Sequence, residues 1–271
     1  QKKLFGMRSF TMDTESPIKG SFYLNGEQLI LRGANTMGFM QNDVFNEDKE
    51  RLIKDILLAK LANINFLRLT QRPVQPEVYE MCDNLGMLLQ TDFPLFGYLQ
   101  RTQFEEALKQ VGEMEKLIRA HPSNILVSLI NEPTLPTRRG LQRFLDKDEL
   151  DHFYNAAKSV IHFYNPKQVI KYADGDRVPP SRGYPDKHLY NTWYANHGIP
   201  IGKFIKGFWI GNKAGWKMGC GEYGSEGIES LKTMFKHYPK AWLPKDENDT
   251  TWTPGVIPKA QTWKTHQMWY T

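Results

Sequence analysis

Cysteine is scarce in this sequence, with only Cys82 and Cys220 among 271 residues. Two cysteines are too few for the disulfide framework of a small secreted domain, and they lack the paired Cys/His spacing of a structural zinc site. No other metal-ligand constellation stands out, so we expect neither a metal nor another cofactor. We predict that both thiols are buried.

Long apolar runs and runs of one charge are missing as well. No window reaches about eighteen apolar residues, so we expect no membrane span and no membrane partner. The first ten residues, QKKLFGMRSF, lack the apolar core of a signal peptide, and the compartment stays open between periplasmic, secreted and cytoplasmic. The 35 Lys and Arg exceed the 30 Asp and Glu but are scattered singly, which argues against a nucleic-acid partner.

The composition that remains is that of a globular protein, with 40% hydrophobic and 24% charged residues. Aromatic residues make up 13% of the chain, including 7 Trp and 12 Tyr. Several of them follow predicted strands instead of lying within periodic apolar faces. Because aromatic rings in clefts stack on flat ligands, this placement slightly favours a sugar or a similar ligand.

Apolar segments with strand-like and helix-like periods alternate along most of the chain. Seven strands separated by helices or long crossovers predict an α/β fold, and no glycine-rich phosphate loop marks a doubly wound nucleotide binder. A (β/α)8 TIM barrel fits best, incomplete at its C-terminus because no eighth strand is evident. The predicted strands are Leu29–Gly33, Ile64–Leu69, Met87–Thr91, Ile125–Ile130, Gln168–Tyr172, His188–Trp193 and Lys217–Gly221. The predicted helices are Glu47–Ala62, Pro76–Leu85, Gln103–Ala120, Lys147–Tyr164, Ile201–Asn212, Glu226–Tyr238 and Gln261–Tyr270.

The first residues follow a different pattern. LFGMRSFTMD and SFYLNGEQLIL alternate like the strands of a β-hairpin, with no helix between them. We therefore expect residues 1–20 to be the end of a preceding β-domain with its linker, and residues 21–271 to be the barrel domain.

Polar side chains follow each predicted strand at its carboxyl end, which in a barrel is the end that carries chemistry. A single carboxylate at such a place is more often a capping or salt-bridged residue, but the set recurs from strand to strand. Glu132 ends the fourth strand and Glu222 the seventh, so we expect them to face each other across the barrel mouth. Such a pair suits a reaction that needs one carboxyl group as proton donor and another as nucleophile. The remaining residues of the set are Asn35, Arg68, Asp92, Asn131, Tyr172, Asp174, Tyr190, Trp193 and Tyr223.

Five segments occur in the following order between about Phe22 and Gly224: LILRGAN, NINFLRL, YEMCDNLGMLLQTDFP, HPSNILVSLINEP and GCGEYG. Together they resemble the catalytic barrel of glycoside hydrolase family 2. The Asn131-Glu132 pair also resembles the hallmark of the larger clan of retaining barrel glycosidases.

The resemblance implies a retaining exo-β-glycosidase that acts on an oligosaccharide or another glycoside. Glu132 would be its acid/base, Glu222 its nucleophile and Tyr190 the tyrosine that supports the nucleophile. Asn131 would bind the 2-hydroxyl of the sugar. The other substrate-binding residues implied are Arg68, Asp92, Asn35 and Trp193, of which Asp92 would bind either sugar hydroxyls or Arg68.

The resemblance also has consequences beyond the barrel. Family members usually carry a jelly-roll domain and an immunoglobulin-like domain before it, so this chain would be a fragment that lacks its N-terminal β-sandwich domains. Residues Gln1–Thr14 would then be the last strand of the immunoglobulin-like domain. The oligomeric state stays open, a homo-oligomer included.

The identity of the sugar also stays open at this point. NTMGFMQND and QTDFPLFG stand where β-galactosidases typically show a His-rich stretch and Asp-Glu-Ala-Asn, respectively. QTDFP resembles the Gln-Asp-Phe of β-mannosidases, whereas SLINEP and TWY look closer to β-glucuronidases. Two alternatives to an active glycosidase remain. One is an inactive carbohydrate-binding or structural fragment, and the other is an unrelated metal-dependent barrel hydrolase with Asp92, His188 or Asp174 as ligands.

Overall fold

The computed structural model describes residues 5–137, 140, 142–176, 183–190, 213–224, 230–253 and 256–257. The chain divides into two compact units. The first comprises Gln1–Lys187 with Asn212–Gly221, and the second comprises His188–Gly211 with Glu222–Thr271. The predicted helices Ile201–Asn212 and Gln261–Tyr270 lie outside the described residues, as does Trp193.

A five-stranded parallel sheet forms the centre of the first unit. Its strand order follows the order of the chain, which is the arrangement expected for part of a (β/α) barrel. The strands are β4 (Gly33–Thr36), β5 (Phe66–Leu69), β6 (Leu88–Asp92), β7 (Asn124–Ser128) and β8 (Val169–Lys171). The helices that accompany them are α1 (Phe39–Phe45), α2 (Lys49–Leu61), α3 (Pro76–Leu85), α4 (Phe104–Ile118) and α5 (Lys147–Tyr164).

Two of these helices begin and end where the sequence predicts. Helix α3 has Pro76 in its first turn and ends at Gly86, whose φ of 66° is the left-handed conformation that favours glycine. Helix α5 starts with a capping box, in which the Asp146 side chain accepts from the Glu149 N–H while the Glu149 side chain accepts from the Asp146 N–H. Local signals therefore fixed these boundaries.

The three middle strands of the sheet, β5, β6 and β7, are largely buried. All five residues of β7 are buried, and its apolar side chains pack against those of the neighbouring elements. A run of this kind, with no polar alternation, is typical of a parallel strand that is covered on both faces. Helices α4 and α5 supply buried faces that include Val111, Ile118, Phe153 and Ile161.

An antiparallel three-stranded sheet precedes the barrel strands. It consists of β1 (Phe10–Met12), β2 (Phe22–Leu24) and β3 (Glu27–Leu29), paired in that order. Phe10 stacks on Phe22 with ring centroids 5.5 Å apart, and both pack in one apolar cluster with Ile125 and Leu126 of β7. The division at residue 20 stays a prediction.

The second unit has one short parallel pair among its described residues. Strand β9 (Leu189–Tyr190) pairs with β10 (Tyr223–Gly224), and helix α6 (Leu231–His237) follows. With the five strands of the first unit, the described residues contain seven parallel strands. No helix in the described part of the chain is long and apolar enough to cross a membrane.

Several local predictions were wrong. The run predicted as the first barrel strand, Leu29–Gly33, is not one strand: Leu29 ends β3 and Gly33 begins β4, while Leu29 and Leu31 pack in the cluster around Phe10. The barrel strand is therefore β4, and Asn35 lies within it instead of after it.

Further errors concern the last predicted strand and its cysteine. Lys217–Gly221 makes isolated bridges only, and the strand β10 begins after Glu222, so Glu222 precedes the strand instead of ending it. Gly219 and Gly221 allow this segment to pack against the side chain of Asp186. No continuous strand ladder forms there among the described residues. Cys82 is buried as predicted, but Cys220 of the same segment is exposed.

Candidate active site

Arg68 is a buried cation at the carboxyl end of β5. Its Nε donates to Oδ2 of Asp92 over 2.8 Å, and its Nη1 lies 2.7 Å from Oδ1 of Asp174. Its Nη2 lies 2.7 Å from Oδ2 of Asp92 and also donates to Oδ1 of Asn131 over 2.8 Å. The planar fork of a guanidinium can hold three side chains at fixed angles, which a single ammonium cannot do.

Asp92 ends β6 and completes the contact with Arg68. Besides the guanidinium, it accepts from Nε2 of Gln90 at 2.7 Å and from the N–H of Gln71 at 3.0 Å. Burial raises the pKa of Asp92 and the Arg68 guanidinium opposes that shift. Because every acceptor bond around it favours the carboxylate, we assign Asp92 the ionised form.

Asn131 is oriented by Arg68. Because Arg68 donates to its Oδ1, the amide plane is fixed and the Nδ2 group keeps two hydrogens to donate. The side chain is 3% exposed, and the backbone is held on both sides, by Leu95 O at 2.8 Å and by the Gly97 N–H at 2.9 Å. Asn131 is therefore a rigid donor at the end of β7.

Glu132 has an unusual backbone. Its φ is 46°, in the left-handed region that side chains other than glycine rarely adopt, and the residue precedes Pro133. Its N–H donates to Asp174 O over 2.7 Å, which holds this conformation in place. Strained residues of this kind persist where the surrounding structure over-determines them, and they cluster at functional sites. The side chain is half-buried.

A second buried cation, Lys171 at the end of β8, adjoins the first. Its Nζ pairs with Oδ2 of Asp174 and lies 3.2 Å from Oδ2 of Asp186. Burial opposes its charge, but the carboxylates of Asp174 and Asp186 raise the pKa of Lys171. Gln90 connects the two parts of the network, since its Nε2 also donates to Asp174 over 2.8 Å.

Sequence reasoning singled out only Asp174 of this second part and missed Lys171, Gln90 and Asp186. The signal that could have found Lys171 is a lone lysine within a predicted strand, because buried lysines are rare unless they are paired. Asp186 gave no comparable signal, as it lies in a loop. Asn35 does lie near the network, because the strand register places it opposite Arg68.

The second unit contains the other predicted glutamate. The hydroxyl of Tyr190 donates to Oε2 of Glu222, and Nδ1 of His188 lies 3.6 Å from the same oxygen. The β9–β10 pairing fixes this contact, since the Leu189 N–H donates to Glu222 O over 2.8 Å. The structure thus brings Tyr190, His188 and Glu222 together, and the roles assigned to Tyr190 and Glu222 stay predictions.

In the first unit, the carboxylates of the candidate site are already balanced by buried cationic side chains. Arg68 and Lys171 together contact the three aspartates of this network, Asp92, Asp174 and Asp186, so a metal ion there would compete with two covalently held cations. The prediction that the site needs no metal stays a prediction.

The model of the TIM barrel domain of glycosyl hydrolases family 2 matches residues 18–252 of this chain. The chain belongs to glycoside hydrolase family 2. Membership confirms the TIM barrel fold class and the family resemblance seen in the sequence. It also rules out the alternative of an unrelated metal-dependent barrel.

The relatives of this chain are named after different sugars. A Formosa agariphila protein provisionally named a beta-glucuronidase is 30% identical over 193 residues, which is 65% of this chain and 21% of that protein. The beta-galactosidase of Lactococcus lactis is 29% identical over 141 residues, 49% of this chain and 14% of the relative. The beta-mannosidase of Rattus norvegicus is 31% identical over 137 residues, 46% of this chain and 15% of the relative.

A solved structure supports the fold. Bacteroides uniformis beta-glucuronidase 2 matches with a TM-score of 0.59 and 23% identity, over 74% of this chain and 25% of that one. At this identity the likeness shows the fold alone. The chain spans a quarter or less of the length of all these proteins.

Proposed function

We propose that this chain is the catalytic barrel domain of a retaining exo-β-glycosidase, which removes terminal β-linked sugars by a double displacement. The observation that carries the proposal is the end of β7. There a half-buried glutamate in a left-handed conformation directly follows an asparagine whose amide is fixed by a buried arginine. Family membership supplies the reaction class, and this geometry supplies a proton donor beside a sugar-binding amide.

In this proposal Glu132 is the acid/base. It protonates the glycosidic oxygen as the bond breaks, and in the second step it removes a proton from water. The bond from the Glu132 N–H to Asp174 O fixes the backbone from which this carboxyl group extends in both steps.

Glu222 is the proposed nucleophile. It attacks the anomeric carbon to form a glycosyl-enzyme that water then hydrolyses. The hydrogen bond from Tyr190 supports this role, because a hydroxyl that donates to a carboxylate stabilises the ionised form required for attack.

Sugar recognition is proposed for the Arg68 network. Nδ2 of Asn131 would donate to the 2-hydroxyl, a bond that strengthens as positive charge develops on the sugar ring. Asn35 and Asp92 would bind other hydroxyls directly or through Arg68, and Trp193, outside the described residues, would stack on the sugar. Names of relatives point to glucuronic acid, mannose and galactose, so all three sugars belong in the test.

The decisive experiment is a panel of 2,4-dinitrophenyl and phenyl β-glycosides of these three sugars, with the anomer of the first product read by NMR. We expect hydrolysis of one sugar with retention of configuration. A 2-deoxy-2-fluoro glycoside of that sugar should label Glu222, as located by mass spectrometry of peptides. An α-anomer as first product would contradict the double displacement, and sugar binding without hydrolysis would favour the inactive fragment.

Variants assign the roles. Glu222→Ala should abolish turnover of every substrate. Glu132→Ala should slow the phenyl glycoside far more than the dinitrophenyl glycoside, whose leaving group needs no proton, and azide should restore its turnover as a glycosyl azide. The matched control is Glu113→Ala, at an exposed glutamate of α4 that pairs with Lys116 on the same helix. Wild-type rates for both glutamate variants would refute the assignment.

A further inference from the structure

Lys171 is the least expected side chain in the barrel. It lies at the end of β8, almost fully buried, where a charge is costly unless it is paired and hydrogen-bonded. Its Nζ contacts Asp174 and Asp186, which provide that pairing. Asp174 is also bound by Arg68, so Lys171 links the Arg68 network to Asp186.

The two carboxylate oxygens of Asp186 have different partners. Oδ2 faces Lys171 at 3.2 Å, whereas Oδ1 accepts from the N–H of Gly175 at 2.8 Å and from the N–H of Gly221 at 3.1 Å. One carboxylate therefore connects the end of β8 with a segment more than thirty residues away in the chain, Asp186 to Gly221.

The segment that contains Gly221 fits closely against these carboxylates. A Cβ at Gly221 would overlap Oδ1 of Asp174, and a Cβ at Gly219 would lie 2.8 Å from Oδ2 of Asp186. Gly219 also forms a bridge with Asp186, with the Lys187 N–H donating to Gly219 O over 3.0 Å. Only glycine permits this approach, and Gly221 is joined by its peptide bond to Glu222.

We propose that Asp186, held in place by Lys171, is a positioning residue for the nucleophile: it fixes the backbone of Gly221 and thereby the point from which Glu222 starts. This inference rests on the proposed role of Glu222 as nucleophile. It assigns to Lys171 and Asp186 a part in the reaction although neither touches the sugar.

The test compares Asp186→Ala with wild type on the dinitrophenyl and phenyl β-glycosides described above, using the full chain. Misplacement of a reacting group by about 1 Å costs on the order of a hundredfold in rate. We expect kcat to fall by about that factor for both leaving groups, with KM little changed, because the nucleophile attacks in either case. Glu132→Ala differs, since it spares the activated substrate.

A double variant separates positioning from loss of structure. In Lys171→Met/Asp186→Asn, one cation and one carboxylate are removed together, so the net charge of the network is unchanged. The asparagine Oδ1 can still accept from Gly175 and Gly221. We expect kcat to recover to within about tenfold of wild type, whereas Lys171→Met alone, which removes the buried cation beside Asp174 and Asp186 but keeps both carboxylates, should not recover. Lys213→Met is the control, since that lysine donates to Gly183 O outside the network.

Amide hydrogen exchange at Gly221 tests the contact between Asp186 and Gly221 directly and needs no substrate. Asp186→Ala should speed exchange at Gly221 and Gly175, and the double variant should restore protection. Unchanged exchange at Gly221, or unchanged kcat in an active Asp186→Ala enzyme, would overturn the inference. If wild type hydrolyses no glycoside, the proposed function fails, and faster exchange in Asp186→Ala would then support only the structural link to Gly221.

Discussion

Arg68 donates to the amide oxygen of Asn131 across 2.8 Å, from one barrel strand to the end of another. This one bond decides which face of the Asn131 amide is available, because the oxygen is held and the nitrogen is left to donate. It also makes the orientation of a proposed sugar-binding group depend on a residue 63 positions earlier.

Replacing Arg68 with lysine should therefore damage both stability and function. A lysine keeps the charge but cannot hold Asp92, Asp174 and Asn131 together. We expect the free energy of unfolding to fall by about 3 kcal/mol, as for a broken buried ion pair, measured by urea denaturation. Arg51→Lys is the control, because its pair with Asp43 is exposed on the arginine side and should change stability by less than about 1 kcal/mol. Equal effects of the two substitutions would contradict the buried network.

Tyr190→Phe should lower kcat while leaving the fold intact. The variant removes the only hydroxyl hydrogen of the Tyr190–Glu222 contact, and a hydrogen bond to a charged group contributes about 1.5–3 kcal/mol. That range corresponds to a loss of roughly tenfold to a hundredfold in rate. Tyr223→Phe, in the adjacent strand with an exposed ring, should behave as wild type. Stopped-flow rates on the activated glycoside measure both, and equal rates for both variants would argue against a supporting role.

Glu115 should make stability depend on pH. It is buried on α4, and although Asn165 donates to Oε1 over 3.0 Å, Oε2 has no hydrogen-bond partner among the described residues. Burial raises the pKa of Glu115 to about 7, from 4.5. The folded state therefore holds the proton more tightly than the unfolded state does. Below about pH 4.5 Glu115 does not lower the free energy of unfolding, and this free energy falls as the pH rises toward 7.

Glu115→Gln should remove this dependence. In wild type the free energy of unfolding should fall by an amount on the order of 3 kcal/mol over this pH range. The variant should therefore be more stable than wild type at pH 8 and about as stable as wild type at pH 4.5. Urea denaturation at pH values across this interval measures the effect. The exposed Glu113→Gln variant should keep the wild-type dependence. A parallel pH profile for Glu115→Gln would exclude Glu115 as the source.

Asp146→Ala should destabilise α5. The substitution removes the acceptor for the Glu149 N–H and breaks the capping box, which costs about 1 kcal/mol. Asp146→Asn keeps a side-chain acceptor and should retain most of that stability. Thermal unfolding monitored by circular dichroism distinguishes the two. If Asp146→Asn lowered the stability as much as Asp146→Ala, the charge of Asp146 and not its capping hydrogen bond would be the cause.

Much of the barrel was predictable because its signals are local. Pro76 and Gly86 delimit α3, and the capping box begins α5, since each depends on residues within one helical turn. The Asn131-Glu132 pair was recognisable for a related reason: a polar ending on an apolar strand is visible in the sequence itself.

Strand boundaries near the hairpin and before Glu222 were not predictable in this way. Leu29 and Leu31 look like a barrel strand, but distant aromatic residues such as Phe10 draw them into the hairpin cluster. Gly219 and Gly221 break the predicted seventh strand because they pack on Asp186, a contact between segments far apart in the chain.

The sequence by itself determined the family and the parallel α/β order and singled out the two candidate glutamates, because these are carried by motifs and by hydrophobic periods. The tertiary structure alone decided that Arg68 fixes Asn131, that Glu132 adopts a left-handed backbone and that Lys171 neutralises buried aspartates. The physical reason is that charge pairing in a low-dielectric interior depends on distances between strands, and those distances are set only when the sheet assembles.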